Sequence, residues 1–130
     1  MYKIPKHIAI IMDGNRRWAE RNKVSKHTGH KKGASSLKNI ISECVKLDII
    51  ELTVFAFSTE NWNRDFTEVN SLLKLIEIYI KSEIAEMKAI NIRFKSIGDK
   101  SKFNKTLAEL LISAENLTSH NTGLKLNICL

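Results

Sequence analysis

The chain has 130 residues, 43% of them hydrophobic, enough for one domain with a modest core and no more. No run approaches the roughly 18 apolar residues that cross a bilayer, and the first seven residues lack the apolar stretch and cleavage site of a signal peptide, so a cytoplasmic location is expected. Lys and Arg outnumber acids 21 to 14, a balance that suits phosphorylated substrates, anionic membranes or nucleic acid, but the lysines are scattered and no basic block interleaves with aromatics, so nucleic acid is not expected.

Elements alternate along the chain. Residues 8–12 form an apolar run that reads as a buried strand and stops at Asp13. A short helix is expected over 15–21. A longer one, 29–47, carries Leu37, Ile40, Ile41, Cys44 and Val45 at helical spacing. Residues 52–57 read as a second strand, ending in a polar cluster. Helix 67–89 presents Val69, Leu72, Leu73, Ile76, Ile80, Ile84 and Met87 on a broad apolar stripe. Residues 92–97 read as a third strand, 103–117 as a helix with Leu107, Leu110, Leu111 and Ala114 on one face, and 124–130 as a fourth strand. Strands alternating with helices of this length imply βαβ units and a parallel sheet. No repeat or Pro/Gly-rich linker divides the chain, so one domain, 1–130, is expected. The sequence ends inside the apolar run Leu126-Asn-Ile-Cys-Leu130, which suggests a domain cut after about its fourth strand. Cys44 and Cys129 have no metal-like spacing and read as reduced thiols.

Two strand ends carry chemistry. At the first, Asp13-Gly-Asn-Arg-Arg-Trp18 joins a hard oxygen ligand suited to Mg²⁺ to a helix start, whose unpaired N–H groups attract anions, and to two arginines. The same residues also read as a plain strand end with a helix cap at Asp13 or Asn15. At the second, Phe57-Ser-Thr-Glu-Asn-Trp-Asn-Arg64 places Ser58, Thr59, Glu60, Asn61 and Arg64 beyond another strand. In open α/β sheets ligands bind outside the carboxyl ends of strands, so both loops are expected to converge on one crevice.

These two motifs, with Gly29-His30 and Gly33 between them and Ile97-Gly-Asp99 and Asn121-Thr-Gly-Leu-Lys-Leu-Asn127 beyond, resemble the cis-prenyltransferases, of which the bacterial undecaprenyl diphosphate synthases are the nearest type. The likeness runs from about His7 to the end. Family members are roughly twice as long, and their later Arg/Ser-rich segment has no counterpart here. The resemblance implies a parallel sheet flanked by helices, about the N-terminal half of a six-stranded fold. It implies condensation of isopentenyl diphosphate with an allylic diphosphate such as farnesyl diphosphate, giving a cis-polyprenyl diphosphate for a glycan carrier lipid. Mg²⁺ is the implied cofactor, with Asp13 as metal ligand and catalytic residue. Full-length members imply a homodimer, doubtful for this chain, and membrane contact through the product.

By the same resemblance, Gly14, Asn15, Arg16, Arg17 and Trp18 belong to the phosphate-binding start of the first helix. Lys26 stands where the family usually has a phosphate-binding arginine, keeping the charge without the bidentate fork. His30 matches a histidine near the diphosphate; read alone, it would be a surface residue at a helix start. Asn61 matches a residue that handles the substrate pair, and Arg64 one that contacts phosphate. Ser58, Thr59, Glu60 and Trp62 complete this second wall, with simple packing an equal alternative for Trp62. Glu68 resembles an acid that steadies a mobile loop and ranks below these. The helices at 29–47 and 67–89 would flank a tunnel for the growing chain. A truncated, inactive remnant or a noncatalytic partner of a prenyltransferase is the competing reading. Retention of Asp13, Asn15, Arg17, His30, Asn61 and Arg64 argues against decay of the site.

Overall fold

In the computed structural model, which describes residues 3–57 and 59–130, four parallel strands are interleaved with four helices. Strands β1 (His7–Ile11), β2 (Glu51–Phe55), β3 (Arg93–Ile97) and β4 (Lys125–Cys129) lie in the order β1-β2-β4-β3. The last strand is therefore interior: it inserts between β2 and β3, and both of its edges are paired.

Helices α1 (Asn15–Arg21), α2 (Lys26–Lys46), α3 (Phe66–Ala89) and α4 (Lys105–Leu117) follow the apolar periodicity closely. The main departure is the start of α2, one turn before Gly29. Ser25 caps it, its Oγ accepting from Thr28 N at 3.1 Å, and so satisfies one of the donors every helix start leaves open. Asn104 does the same for α4, accepting from Leu107 N at 2.8 Å. Two short 3₁₀ turns, Thr59–Asn63 and Lys100–Lys102, lie where the sequence offers only polar connections.

The core lies on one face of the sheet. Leu52, Val54, Phe94, Leu126 and Ile128 point there and pack with Leu37 and Ile41 of α2, Leu73 and Ile80 of α3, and Leu107 and Leu111 of α4. Ile40, expected on the inner stripe of α2, is exposed instead. At the outer edge of β3, two backbone donors are taken up by α4 and its C-cap. Phe94 N donates to Thr118 Oγ1 at 2.9 Å, and Ser96 N to the Glu115 carboxylate at 2.7 Å.

Helices α1 and α2 meet through two glycines one turn apart. A Cβ on Gly29 would fall against the Asn15 carbonyl and 2.9 Å from Ala19 Cβ; one on Gly33 would fall on the Asn15 side chain. Gly29→Ala is therefore expected to lose stability. The gain in helix propensity, about 1 kcal/mol, is outweighed by overpacking of about 1–3 kcal/mol, because the obstacle is backbone. Urea denaturation of wild type and variant measures the sum, and an equal or higher midpoint would contradict this packing.

Candidate active site

Strand β1 hands the chain directly to the first candidate loop. Met12 N still donates to Phe55 O at 3.1 Å, so the two strand ends are tied together just before they diverge. Gly14 then turns with φ 87°, a left-handed conformation that glycine adopts readily, and α1 begins at once. Asp13 folds back on this start: Oδ1 accepts from Gly14 N at 2.7 Å and Oδ2 from the Arg17 guanidinium at 3.1 Å. Its side chain remains 70% exposed. The N–H groups of Asn15, Arg16 and Arg17 have no acceptor among the described residues, as expected for a first helical turn.

The second loop closes through a 3₁₀ turn, with Arg64 N donating to Asn61 O at 3.2 Å. Both loops border one cavity of about 210 Å³ between the sheet and helices α2 and α3. Its polar mouth holds Asp13, Gly14, Asn15, Arg16, Arg17, His30, Asn61 and Arg64. Deeper, the wall turns apolar, with Leu37 from α2, Leu72, Ile76 and Ile80 from α3, and Phe94 and Ile128 from the sheet. Tyr79 also lines it; burial, then Glu83 and Glu86, raise the pKa of its hydroxyl and keep it protonated. The apolar stripe of α3 thus does two jobs: Val69 and Met87 are core, while Leu72 and Ile76 form cavity wall.

The mouth is organised around a buried acid. Glu68, in the first turn of α3, has only 6% of its side chain exposed and faces cations from three other segments. Arg64 donates to it at 3.2 Å, Arg16 lies at 3.8 Å and Lys26 at 4.0 Å. His30 Nε2 stands 3.5 Å away, and this buried nitrogen has no hydrogen-bond partner among the described residues. Glu68 stands out less in the sequence than its neighbours do. The available signal was its place four residues after Arg64, the spacing of a helical ion pair.

Burial lowers the His30 pKa. Glu68 pulls it back up, and Arg64 and His27 lower it further. Between the ordinary histidine value of about 6.5 and the lower folded value, the unfolded chain binds more protons than the folded one. His30 therefore stabilises the fold above about pH 6.5, and that contribution drains away as pH falls below it. His30→Gln is expected to flatten the stability–pH curve below about pH 6.5, measured by urea unfolding at closely spaced pH values. An unchanged curve would contradict the burial of this imidazole.

Several expected residues sit elsewhere. Trp62 is not among the cavity-lining residues; it packs edge-on against Phe57 at 5.1 Å and beside Phe103 at 5.9 Å, tying the loop to the core. Trp18 is half-buried on α1 and Lys26 lies exposed at the start of α2, both outside the lining. Ser58 lies outside the described residues, as do the side chains of Thr59 and Glu60. Asp99 caps its own 3₁₀ turn, accepting from Ser101 N at 3.0 Å, and Asn121 donates to Ile92 O at 2.8 Å; neither lines the cavity.

No group of three or more metal-ligating side chains occurs among the described residues. Mg²⁺ does not require one: it keeps several waters and commonly binds one or two carboxylates plus substrate phosphates. The exposed Asp13 carboxylate at a cationic cavity mouth fits that mode.

The undecaprenyl diphosphate synthase family model matches residues 11–130. The chain belongs to this family. It is 46% identical over 127 residues to an isoprenyl transferase of Clostridium tetani, covering 98% of this chain and 50% of the relative. A ditrans,polycis-undecaprenyl-diphosphate synthase ((2E,6E)-farnesyl-diphosphate specific) of Acinetobacter baylyi is 46% identical over 127 residues, covering 98% of this chain and 51% of the relative. Among solved structures, lavandulyl diphosphate synthase from Lavandula x intermedia, in complex with dimethylallyl diphosphate, superposes with a TM-score of 0.91 at 35% identity, covering 97% of this chain and 54% of that one. The chain spans about half the length of the relatives it matches. The parallel sheet and flanking helices expected from sequence are those of this family.

Proposed function

We propose that this chain provides the allylic-diphosphate half of a prenyl-transfer site, in which isopentenyl diphosphate is condensed with an allylic diphosphate such as farnesyl diphosphate to give a cis-polyprenyl diphosphate. One observation carries the reading: a mouth lined by Asp13, Arg16, Arg17, His30 and Arg64 opens onto an apolar cavity. That order of polarity matches a molecule with a diphosphate head and a hydrocarbon tail.

The chemistry sets clear demands. The allylic C–O bond must stretch while negative charge collects on the departing diphosphate. The open N–H groups of Asn15 to Arg17 and the Arg17 guanidinium hold the phosphates, and loss of one preorganised donor of this kind costs about 10²–10³ in rate. Neutral His30 offers either a donor or an acceptor at the phosphates, and Asn61 borders the position where the second substrate approaches. Leu72 and Ile76 take the hydrocarbon, each buried CH₂ contributing about 0.8 kcal/mol. Asp13 is the residue that would hold Mg²⁺, which when bound neutralises part of the diphosphate charge.

No helix among the described residues is long and apolar enough to cross a membrane. The same reading places the reaction in the cytoplasm, with membrane contact through a product that serves as glycan carrier lipid, and with the homodimer implied for full-length members of the family.

Calorimetric titration with farnesyl diphosphate, inorganic diphosphate and farnesol in Mg²⁺ buffer tests the reading. Farnesyl diphosphate is expected to bind at least about tenfold tighter than either part, a difference of about 1.4 kcal/mol. Equal affinity for farnesyl diphosphate and inorganic diphosphate would remove the apolar cavity from substrate binding. In an incorporation assay with labelled isopentenyl diphosphate, the 130-residue chain alone is expected to be silent. A full-length version containing it is expected to turn over.

A further inference from the structure

Nearly all of the chain's excess positive charge sits in one place. Residues 15–32 contain seven of its 21 lysines and arginines and only one of its 14 acids, Glu20, so they account for six of the net +7. The lysines are scattered along the chain, but the imbalance is not.

This segment folds as a helical hairpin. Gly29 of α2 lies against the Asn15 carbonyl and Ala19, and Gly33 against the Asn15 side chain, so α1 and α2 run in opposite directions. Lys23 takes a left-handed φ of 55° at the turn, and Val24 N closes it on Ala19 O at 3.0 Å. Val24, at this tip, is 41% exposed. The start of α3 is held beside the hairpin: Lys26 lies 4.0 Å from Glu68, and His27 Nδ1 shares a hydrogen bond of 2.9 Å with Ser71 Oγ. Phe66, the first residue of α3, is 80% exposed, more than any other large hydrophobic among the described residues. Two bare apolar side chains thus stand at the same end of the molecule, among cations.

Those cations are of two kinds. Arg16, Arg17 and Lys26 face acids at the cavity mouth. Arg21, Lys23, Lys31 and Lys32 are exposed, line no part of the cavity and form no salt bridge among the described residues. Lysines further along differ: Lys38, Lys74, Lys81 and Lys105 each pair with an acid. Helices α2 and α3, of 21 and 24 residues, also direct the positive ends of their dipoles here.

We infer that the tip of the α1–α2 hairpin, with Phe66 beside it, docks this protein directly on an anionic lipid bilayer, with no product needed to hold it there. Charge complementarity selects the sign of the partner, and the apolar tips select its kind. A bilayer surface offers phosphates to Arg21, Lys23, Lys31 and Lys32 and, just beneath them, an apolar layer for Val24 and Phe66. Nucleic acid supplies the phosphates without that layer. Glu20 and Asp65 are the acids nearest the patch in sequence, and the unpaired cations outnumber them. Docked this way, the cavity mouth, which Arg16 and Arg17 of the same hairpin line, lies at the bilayer surface. The inference does not rest on the proposed reaction, because docking is read without substrate or Mg²⁺.

The test is co-sedimentation of a full-length version of the protein with vesicles of phosphatidylcholine alone or mixed with an equal part of phosphatidylglycerol. The mixed vesicles are expected to bind at least about tenfold more tightly, with the difference collapsing at high salt. Arg21→Gln combined with Lys23→Gln should weaken that binding at least about tenfold. Lys6→Gln combined with Lys88→Gln removes equal charge at the opposite end, where β1 begins and α3 finishes, and should leave binding within about twofold. Val24→Ser combined with Phe66→Ser should weaken it at least about fivefold at unchanged charge. Circular dichroism checks that each variant folds. Equal binding to the two kinds of vesicle would overturn the inference, as would equal weakening by the Lys6 and Lys88 pair. Unchanged binding after loss of Val24 and Phe66 would overturn it too, and tighter association with a DNA duplex at the same salt would reassign the patch to nucleic acid.

Discussion

Asp13→Ala, introduced into a turnover-competent full-length version of the protein, is expected to lower kcat/KM by more than the roughly 10²–10³ typical of losing one preorganised hydrogen-bond donor, while leaving the fold intact. The two halves of this expectation have separate causes. The carboxylate is largely exposed, and its partners are the adjacent Gly14 amide and Arg17 one turn along, itself 68% exposed. An exposed pair of this kind contributes up to about 1 kcal/mol, so the thermal midpoint should move by only a few degrees. On the proposed reading the catalytic loss is larger because the variant removes the one acid among the described residues that line the cavity, a carboxylate that faces solvent; Glu68, close behind Arg16 and Arg64, is buried among cations. Arg17→Ala is the useful comparison. On the proposed reading it removes a phosphate donor but leaves the carboxylate that would hold the metal, and should cost less. Near-normal turnover in Asp13→Ala, with circular dichroism unchanged, would take Asp13 out of the mechanism.

Much of this geometry was legible in the residues, for identifiable reasons. Strand β1 and the Asp13 turn are encoded locally: a β-rich apolar run, an acid, a glycine able to hold φ 87° and a helix start follow one another without a gap. The stripe of α3 was equally plain, since period and length agree. Sequence could not divide that stripe into core and cavity wall, because Leu72 and Leu73 look alike until the sheet is in place. The strand order was also hidden. Nothing in Leu126-Asn-Ile-Cys-Leu130 says that it inserts between β2 and β3, and the same apolarity suits an edge or a centre. The start of α2 was missed by one turn because Gly29 looks like a helix boundary, whereas Ser25 supplies the cap and Gly29 serves close packing with α1. Trp62 had two readings of equal weight, and its ring packs on Phe57.

Glu68 shows a different kind of blindness. Its importance comes from convergence, and convergence is invisible in one dimension: Arg16, Lys26, His30 and Arg64 reach it from three elements besides its own helix. Glu68→Gln keeps the shape and removes the charge, leaving three cations close together with no buried counter-ion. Removing one partner of a buried pair costs about 3–5 kcal/mol. Here the cations keep between 35% and 46% of their side-chain surface in water, so a loss of about 1–3 kcal/mol is expected in urea unfolding. His30 loses the groups that raise its pKa, so its titration, followed by NMR of the imidazole, should move further down. Diphosphate binding gives the sharpest test. On net charge alone the variant should bind diphosphate more tightly, with a steeper salt dependence, because an anion has left the mouth. If Glu68 instead holds Arg16 and Arg64 in place for the phosphates, affinity should fall at least about tenfold despite the added positive charge, since misplaced donors lose more than extra potential returns. We expect the fall. Calorimetric titration of wild type and Glu68→Gln with inorganic diphosphate at low and moderate salt separates the two, and tighter binding by the variant would reduce Glu68 to a counter-ion with no positioning role.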